Sequence, residues 1–391
     1  MQYETNQPGD RDMTQYKKTA IAGAICAMLS LPASAEVRIG VVIPDSGPSS
    51  LFGPASRNVA LMAAEDINAS GGINGEQVRL FFADVGVPPA QSAQAAVRLW
   101  RGEDIDGFAG MHNSAVREAL IGQFRGQVPF VYSGVYEGGE CAPGTWVTAT
   151  TPAQQLAPVI PWLVENEGVS RWYMIGNDYN WPRDTNDAAR SMIAATGGEI
   201  VGEEYVPLGS SDFDASLQRI QASGADAVFI TLVGGDSVAF NIGFGAFGLD
   251  EQAIRFGTLI EENTLAGIGA AGANRLYSSL GYFANIETEP AKAFAARYAS
   301  EFGEDASALN ALSQSVYDGI MLLAALGNAA GSMDVEAIAK VADGTGYQSP
   351  RGKPVLSGTH ADQTIYLADG TGAEFTVVAQ FDNVEHGVSC E

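Results

Sequence analysis

Short apolar runs rich in β-branched and aromatic residues alternate with longer stretches of helical period, almost without interruption, from residue 37 to residue 259. Alternation of this kind predicts parallel sheets covered by helices, because each strand returns to the same sheet through a crossover. In the first unit residues 37–43 read as a buried strand. Residues 54–69 follow as a helix with Val59, Met62, Ala63 and Ile67 on one face, stopped by Gly71-Gly72, and residues 78–83 are the next strand. Further strands are predicted at 105–109, 128–132, 171–175, 200–205, 227–232, 255–259 and 276–282. Ser211 and Asp214 have the spacing of a capping box and predict the start of a helix carrying Leu217 and Ile220. After Tyr282 the pattern changes to helices at 290–302, 306–329 and 335–341, then a β segment at 364–381 that turns at Asp369-Gly370.

Residues 17–35 follow a different rule. Lys17 and Lys18 precede an apolar run over 20–31 and the triplet Ala33-Ser34-Ala35, the pattern of a secretory signal peptide cleaved after Ala35. A mostly apolar run of twelve residues is too short to cross a bilayer core of roughly 30 Å as a helix. The polar stretch 1–12 ahead of the signal suggests Met13 as an alternative start to Met1. Cys26 lies in the apolar run, but Ile25 before it is not the small residue that lipoprotein cleavage needs. The mature chain is therefore expected to be free in the periplasm, without membrane insertion.

The 391-residue chain less its first 35 leaves 356 residues, more than one hydrophobic core supports, so two lobes are expected. No repeat, low-complexity linker or charge block separates them, which implies that the chain crosses between them more than once. Removing residues 1–35 takes away three basic and three acidic residues, so the net charge stays at −25. That acidity disfavours nucleic acid and anionic membrane surfaces as partners and serves solubility. Cys141 and Cys390 are the two cysteines of the mature region. In an oxidising compartment a bridge between them is expected, with one buried and one exposed thiol as the alternative.

Signatures of catalysis are lacking in the sequence. His112, His360 and His386 do not stand at metal-ligand spacing, and there is neither a Gly-x-Ser-x-Gly elbow nor a phosphate-binding loop ending in Gly-Lys-Ser/Thr. Gly267, Gly269 and Gly272 match a dinucleotide fingerprint but lead into a strand instead of following one. No cofactor, metal or enzymatic activity is expected. What remains is polar and aromatic clusters at the carboxyl ends of predicted strands, where open α/β sheets bind ligands. They are His112-Asn113-Ser114, Tyr132 to Tyr136, Asp178 to Arg183 with Tyr179 and Trp181, and Gly234 to Ser237 with Asp236. Asn113 or Ser114 can cap the following helix, whose free amides suit a carbonyl or carboxylate. Tyr132 and Tyr136 can wall a site for a flat polar molecule.

At these clusters the sequence resembles the type I periplasmic solute-binding proteins, and within them the branch of urea- and short-chain-amide-binding receptors and the amide-sensing regulator of aliphatic amidase. The resemblance rests on Tyr132-x-x-x-Tyr136-Glu137-Gly138, on Asp178-Tyr179-x-x-Pro182-Arg183, and on the run from Glu203-Glu204-Tyr205 through Pro207 to Phe213. Gly235-Asp236-Ser237, Glu261-Glu262 and Tyr282-Phe283 followed by Pro290 add to it. It implies two Rossmann-like lobes with parallel sheets, residues 36–150 plus 284–350 and residues 151–283 plus 351–391, joined by three crossovers near Thr148 to Thr151, Phe283 and Pro350. It further implies an ABC importer as partner and a small polar ligand, an amide or urea, between the lobes. A branched-chain or other amino acid, or a sensor role toward a partner protein, are the alternatives. Expected ligand contacts are His112, Asn113, Ser114, Tyr132 and Tyr136 from the first lobe and Tyr179, Trp181, Asp236 and Glu261 from the second. Ser133 stands where the family has proline, and Gly134 and His112 also depart from its pattern, which predicts a wider pocket and a ligand larger than urea.

Overall fold

Residues 36–303 and 305–390 are described in a computed structural model; the signal peptide expected at 17–35, with Cys26 and both possible start residues, lies outside them. The chain opens with β1 (Glu36–Ile43), α1 (Gly53–Ala69), β2 (Gln77–Asp84), α2 (Pro89–Gly102), β3 (Gly107–Gly110), α3 (Ser114–Phe124), β4 (Phe130–Tyr132) and β5 (Thr145–Val147). These five strands make one fully parallel sheet in the order β2-β1-β3-β4-β5. Val37, Ile39, Val41, Val42 and Ile43 of β1 are all buried, as befits a strand covered on both faces.

The chain then builds a second sheet. α4 (Pro152–Leu156), α5 (Val159–Glu167), β6 (Arg171–Asn177), α6 (Asn180–Ala195), β7 (Glu199–Val206), α7 (Asp214–Ser223), β8 (Ala227–Thr231), α8 (Gly235–Ala246), β9 (Ile254–Gly257), α9 (Glu262–Ile268) and β10 (Leu276–Leu280) follow in turn. Next come α10 (Glu289–Phe302), α11 (Ala311–Ala330), the short α12 (Val335–Ala339), a ribbon of β11 (Leu356–Ser357) and β12 (His360–Ala361), and finally β13 (Gln363–Asp369) and β14 (Thr376–Val384). The second sheet runs β14-β13-β10-β9-β8-β6-β7. It is parallel from β7 to β10 and antiparallel where β13 and β14 join.

Two lobes result. α11 returns from the second sheet to pack on α1, β3 and β4 of the first, and its Leu322, Leu323 and Leu326 are fully buried. The ribbon lies against the first sheet, where the Val147 N–H donates to the Thr359 carbonyl at 2.9 Å, before β13 re-enters the second. Cys141 and Cys390 are joined by a disulfide, which ties the tail back to the loop before β5.

Two expectations need correction. Ser211 and Asp214 do not form a capping box: α7 begins at Asp214 without a side-chain cap, and the Asp214 N–H is taken by the Asp212 carboxylate at 3.1 Å. The helix expected from residue 306 begins at Ala311, because Asn310 adopts extended backbone and caps it through the Ser313 N–H. The β segment expected at 364–381 joins the second sheet as its antiparallel edge.

Candidate functional site

A narrow cavity opens between the lobes. Ser49 and Phe52 reach it from the loop after β1, Met111, His112 and Asn113 from the loop after β3, and Gly134 and Val135 from the loop after β4. Tyr179 and Trp181 close it from the end of β6, Val233 from the end of β8, Leu259 from the end of β9, and Leu312 from α11. All but Leu312 sit beyond the carboxyl end of a parallel strand, where such sheets hold ligands. The wall is mainly apolar and aromatic, with a few polar atoms. A smaller polar chamber adjoins it, shares Val135 and Leu312, and is lined by Ser133, Thr148, Thr150, Tyr282, Ser315 and Arg351 at the passages between the lobes.

His112 is one of the first-lobe residues in this wall. It is 3 % exposed, and its Nδ1 lies 3.2 Å from the Asn113 carbonyl. Burial, with the Arg117 guanidinium nearby, holds the ring far below its ordinary range, at about 3, against the opposing backbone hydrogen bond. The imidazole is therefore neutral at physiological pH. Asn113, which lines the cavity, caps α3 by accepting from the Val116 N–H at 2.9 Å, and the first amides of α3 have no helical partner.

Tyr132 and Tyr136 are fully buried behind this wall and do not line it. The Tyr132 hydroxyl donates to the His112 carbonyl at 2.7 Å, and the Tyr136 hydroxyl pairs with Nε2 of His360. Arg117 lies over both rings, 5.4 and 4.8 Å from their centroids, and its guanidinium binds Glu140 and Glu137, each at 2.8 Å. Ser114 donates to Glu137 at 2.5 Å. Gly134 is fixed by this packing: a Cβ there would stand 2.6 Å from the Tyr132 hydroxyl and 2.7 Å from the His112 carbonyl. The glycine thus makes room for a hydrogen bond behind the wall as well as for the cavity.

Across the cleft, Tyr179 and Trp181 are the predicted residues that reach the cavity. Asp236 does not; its carboxylate collects the Asn177 amide at 2.7 Å and the Gly209 and Ser210 N–H groups at 2.8 and 3.1 Å. Burial raises its pKa against those bonds. The residues from Pro207 to Ser210 that carry part of the family resemblance are thereby anchored to the start of α8. Glu261 caps α9, accepting from Asn263 and Thr264 at 2.8 and 2.7 Å, and is likewise outside the cavity. Gly234 has φ +52 and its Cβ would meet the Pro48 carbonyl at 2.4 Å, so only glycine lets the two lobes touch there.

Ser49, Phe52, Met111, Val233, Leu259 and Leu312 line the cavity without having been singled out in the sequence. The strand-end rule reaches Ser49 through Leu259; nothing in the sequence marks Leu312. Among the described residues no cluster of His, Cys, Asp or Glu is arranged to hold a metal ion, and no helix is long and apolar enough to cross a membrane.

The model of the periplasmic binding protein family matches residues 36–374. A Leu/Ile/Val-binding protein homolog from Brucella melitensis is 27 % identical over 369 residues, covering 90 % of this chain and 93 % of its own. A solute-binding protein of an ABC transporter from Rhodopseudomonas palustris, solved with p-hydroxybenzoic acid, superposes with a TM-score of 0.82 at 24 % identity, over 90 % of this chain and 99 % of that one. A branched-chain amino acid transporter substrate-binding protein from Streptococcus pneumoniae, solved with isoleucine, gives 0.76 at 20 % identity, over 89 % and 99 %. At these identities the structural likeness speaks for the fold.

Proposed function

The chain belongs to the periplasmic binding protein family, and from that premise we propose that it is the substrate-binding component of an ABC importer, capturing a small carboxylic acid with an apolar body. The observation that carries this reading is the interlobe cavity itself. Phe52, Met111, Val135, Tyr179, Trp181, Val233, Leu259 and Leu312 form its wall, and such a wall gains free energy by covering apolar ligand surface. A carboxylate is served by the free amides at the start of α3. The ligands in the two solved complexes, p-hydroxybenzoic acid and isoleucine, support that class.

Export through residues 17–35 brings the mature chain to the periplasm, where the permease subunits of the importer are its partners. Residues 36–150 with 284–350, and 151–283 with 351–391, act as the two closing lobes, with the ribbon at 356–361 riding on the first. The passages between them act as hinges, and ligand stabilises the closed arrangement. No catalytic step is proposed.

A urea or short amide is the second reading. The resemblance at residues 132–138 and 178–183 favours it, but the apolar wall does not, because urea offers hydrogen-bonding atoms on every side. A thermal-shift screen separates the two, since a ligand that binds only the folded state raises Tm. Isoleucine, benzoate and their analogues are expected to raise it, and acetamide and urea to leave it unchanged. A shift with the amides alone would transfer the assignment to the second reading.

A further inference from the structure

Two buried ring nitrogens on side chains that line the interlobe cavity have no hydrogen-bond partner: Nε2 of His112 on the first lobe and Nε1 of Trp181 on the second. The residues are 3 % and 1 % exposed. Buried polar atoms in folded proteins are nearly always paired, so a pair of unpaired ones at one cavity asks for the group that completes them. We infer that His112 and Trp181 together read a hydroxyl group on the ligand, accepting its proton at His112 Nε2 and donating to its oxygen from Trp181 Nε1.

The chemistry of the two atoms selects the group. A backbone carbonyl only accepts, so the 3.2 Å contact between His112 Nδ1 and the Asn113 carbonyl puts the proton of the neutral ring on Nδ1. Nε2 is then a bare lone pair. Its burial and the proximity of Arg117 keep the ring from taking a second proton near neutrality. Trp181 Nε1 can only donate. The completing group must therefore donate once and accept once. A carboxylate only accepts and would set its charge against the His112 lone pair. An ammonium only donates and leaves Trp181 unpaired. A primary amide satisfies both but carries a second N–H, which needs a further acceptor such as the Ser49 or Tyr179 hydroxyl. A hydroxyl satisfies both with nothing left over.

This inference rests on the reading of the ligand as an apolar-bodied carboxylic acid and narrows it to a hydroxy acid. The carboxylate lies at the first amides of α3 and the hydroxyl between the two rings. Both an aromatic hydroxy acid and an aliphatic 2-hydroxy acid present that chemistry, and matched pairs distinguish them.

The test is isothermal titration of the purified chain with 4-hydroxybenzoate against benzoate, and with 2-hydroxyisocaproate against 4-methylpentanoate. In at least one pair the hydroxylated member is expected to bind about tenfold tighter or more, because a site built for a hydroxyl penalises its absence. Trp181→Phe and His112→Phe should each bring that ratio close to one, whatever they do to the affinity for the member without the hydroxyl. His112→Gln, whose side-chain carbonyl can still accept, should keep part of the ratio. Equal affinities within both pairs in the unmodified protein would overturn the inference, whatever the fate of the variants. So would variants that weaken both members of a pair by the same factor. If none of the four acids binds, the failure lies with the broader reading and removes the inference with it.

Discussion

Asn180, the first residue of α6, donates its side-chain amide to Glu118 of α3 at 2.8 Å, and so links the two lobes beside the cavity. The same amide approaches Glu137 at 3.4 Å, which ties the link to the Arg117 cluster behind the wall. A bond of this kind exists only while the lobes are together, so it biases the closed arrangement that holds the ligand.

Asn180→Ala and Glu118→Ala should therefore weaken ligand binding without altering fold stability. The effect is small, a few-fold in Kd, because Glu118 is 61 % exposed and exposed charged contacts contribute about 1 kcal/mol or less. Titration calorimetry on the single and double variants checks it. The double variant should lose no more than either single one.

Arg117→Met leaves Glu137 and Glu140 buried without their shared cation. Both ion-pair distances are 2.8 Å, and the three side chains are 5 %, 9 % and 9 % exposed. Removing one partner of such a buried cluster costs about 3–5 kcal/mol. Urea denaturation should show that loss, and Tyr132 and Tyr136, which pack under the guanidinium, should become accessible to quenching.

Gly134→Ala places a methyl group where the Tyr132 hydroxyl and the His112 carbonyl now meet. Overpacking at this point should cost about 1–3 kcal/mol, and the displaced His112 should lower ligand affinity by more than the Asn180 and Glu118 changes do. Calorimetry and thermal melts read the two effects separately.

Stability should fall in mild acid. Burial is the main cause that holds His112 and His360 at about 3 when folded, against 6.5 for an ordinary histidine. Between those values the unfolded chain binds protons that the folded chain refuses. Stability therefore rises with pH across that window and is lost as pH falls through it, with a slope of up to about 1.4 kcal/mol per pH unit for each ring. Denaturation curves recorded at several pH values check the slope, and His112→Gln should reduce it. Ligand affinity should stay level from about pH 6 to pH 8, since His112 is neutral throughout.

The βα alternation was legible because each buried strand is a compact apolar run, and β1, β6 and β8 lie where those runs lie. β5 was not, since its Thr-Trp-Val is not part of a longer apolar run like the one at 128–132 that holds β4. At the site, strand ends were legible but side-chain directions were not. His112, Asn113, Tyr179 and Trp181 reach the cavity. Ser114, Tyr132, Tyr136, Asp236 and Glu261 spend their polar atoms on Glu137, the His112 carbonyl, His360, the loop at 207–210 and the start of α9. A sequence shows which residues sit at a strand end; which neighbour takes each polar atom is decided by packing. The apolar lining, Phe52 and Leu312 among it, looks like any other core residue until the cavity is seen.

Trp181 is the one tryptophan of five that lines the cavity, and it allows the most direct measurement. The purified chain is titrated with a branched aliphatic acid that does not absorb at the excitation wavelength, with tryptophan emission as the readout. A saturable change in emission is expected that disappears in Trp181→Phe, while calorimetry on that variant still detects binding. An unchanged signal in Trp181→Phe, or a response to acetamide or urea with none to the acid, would contradict it.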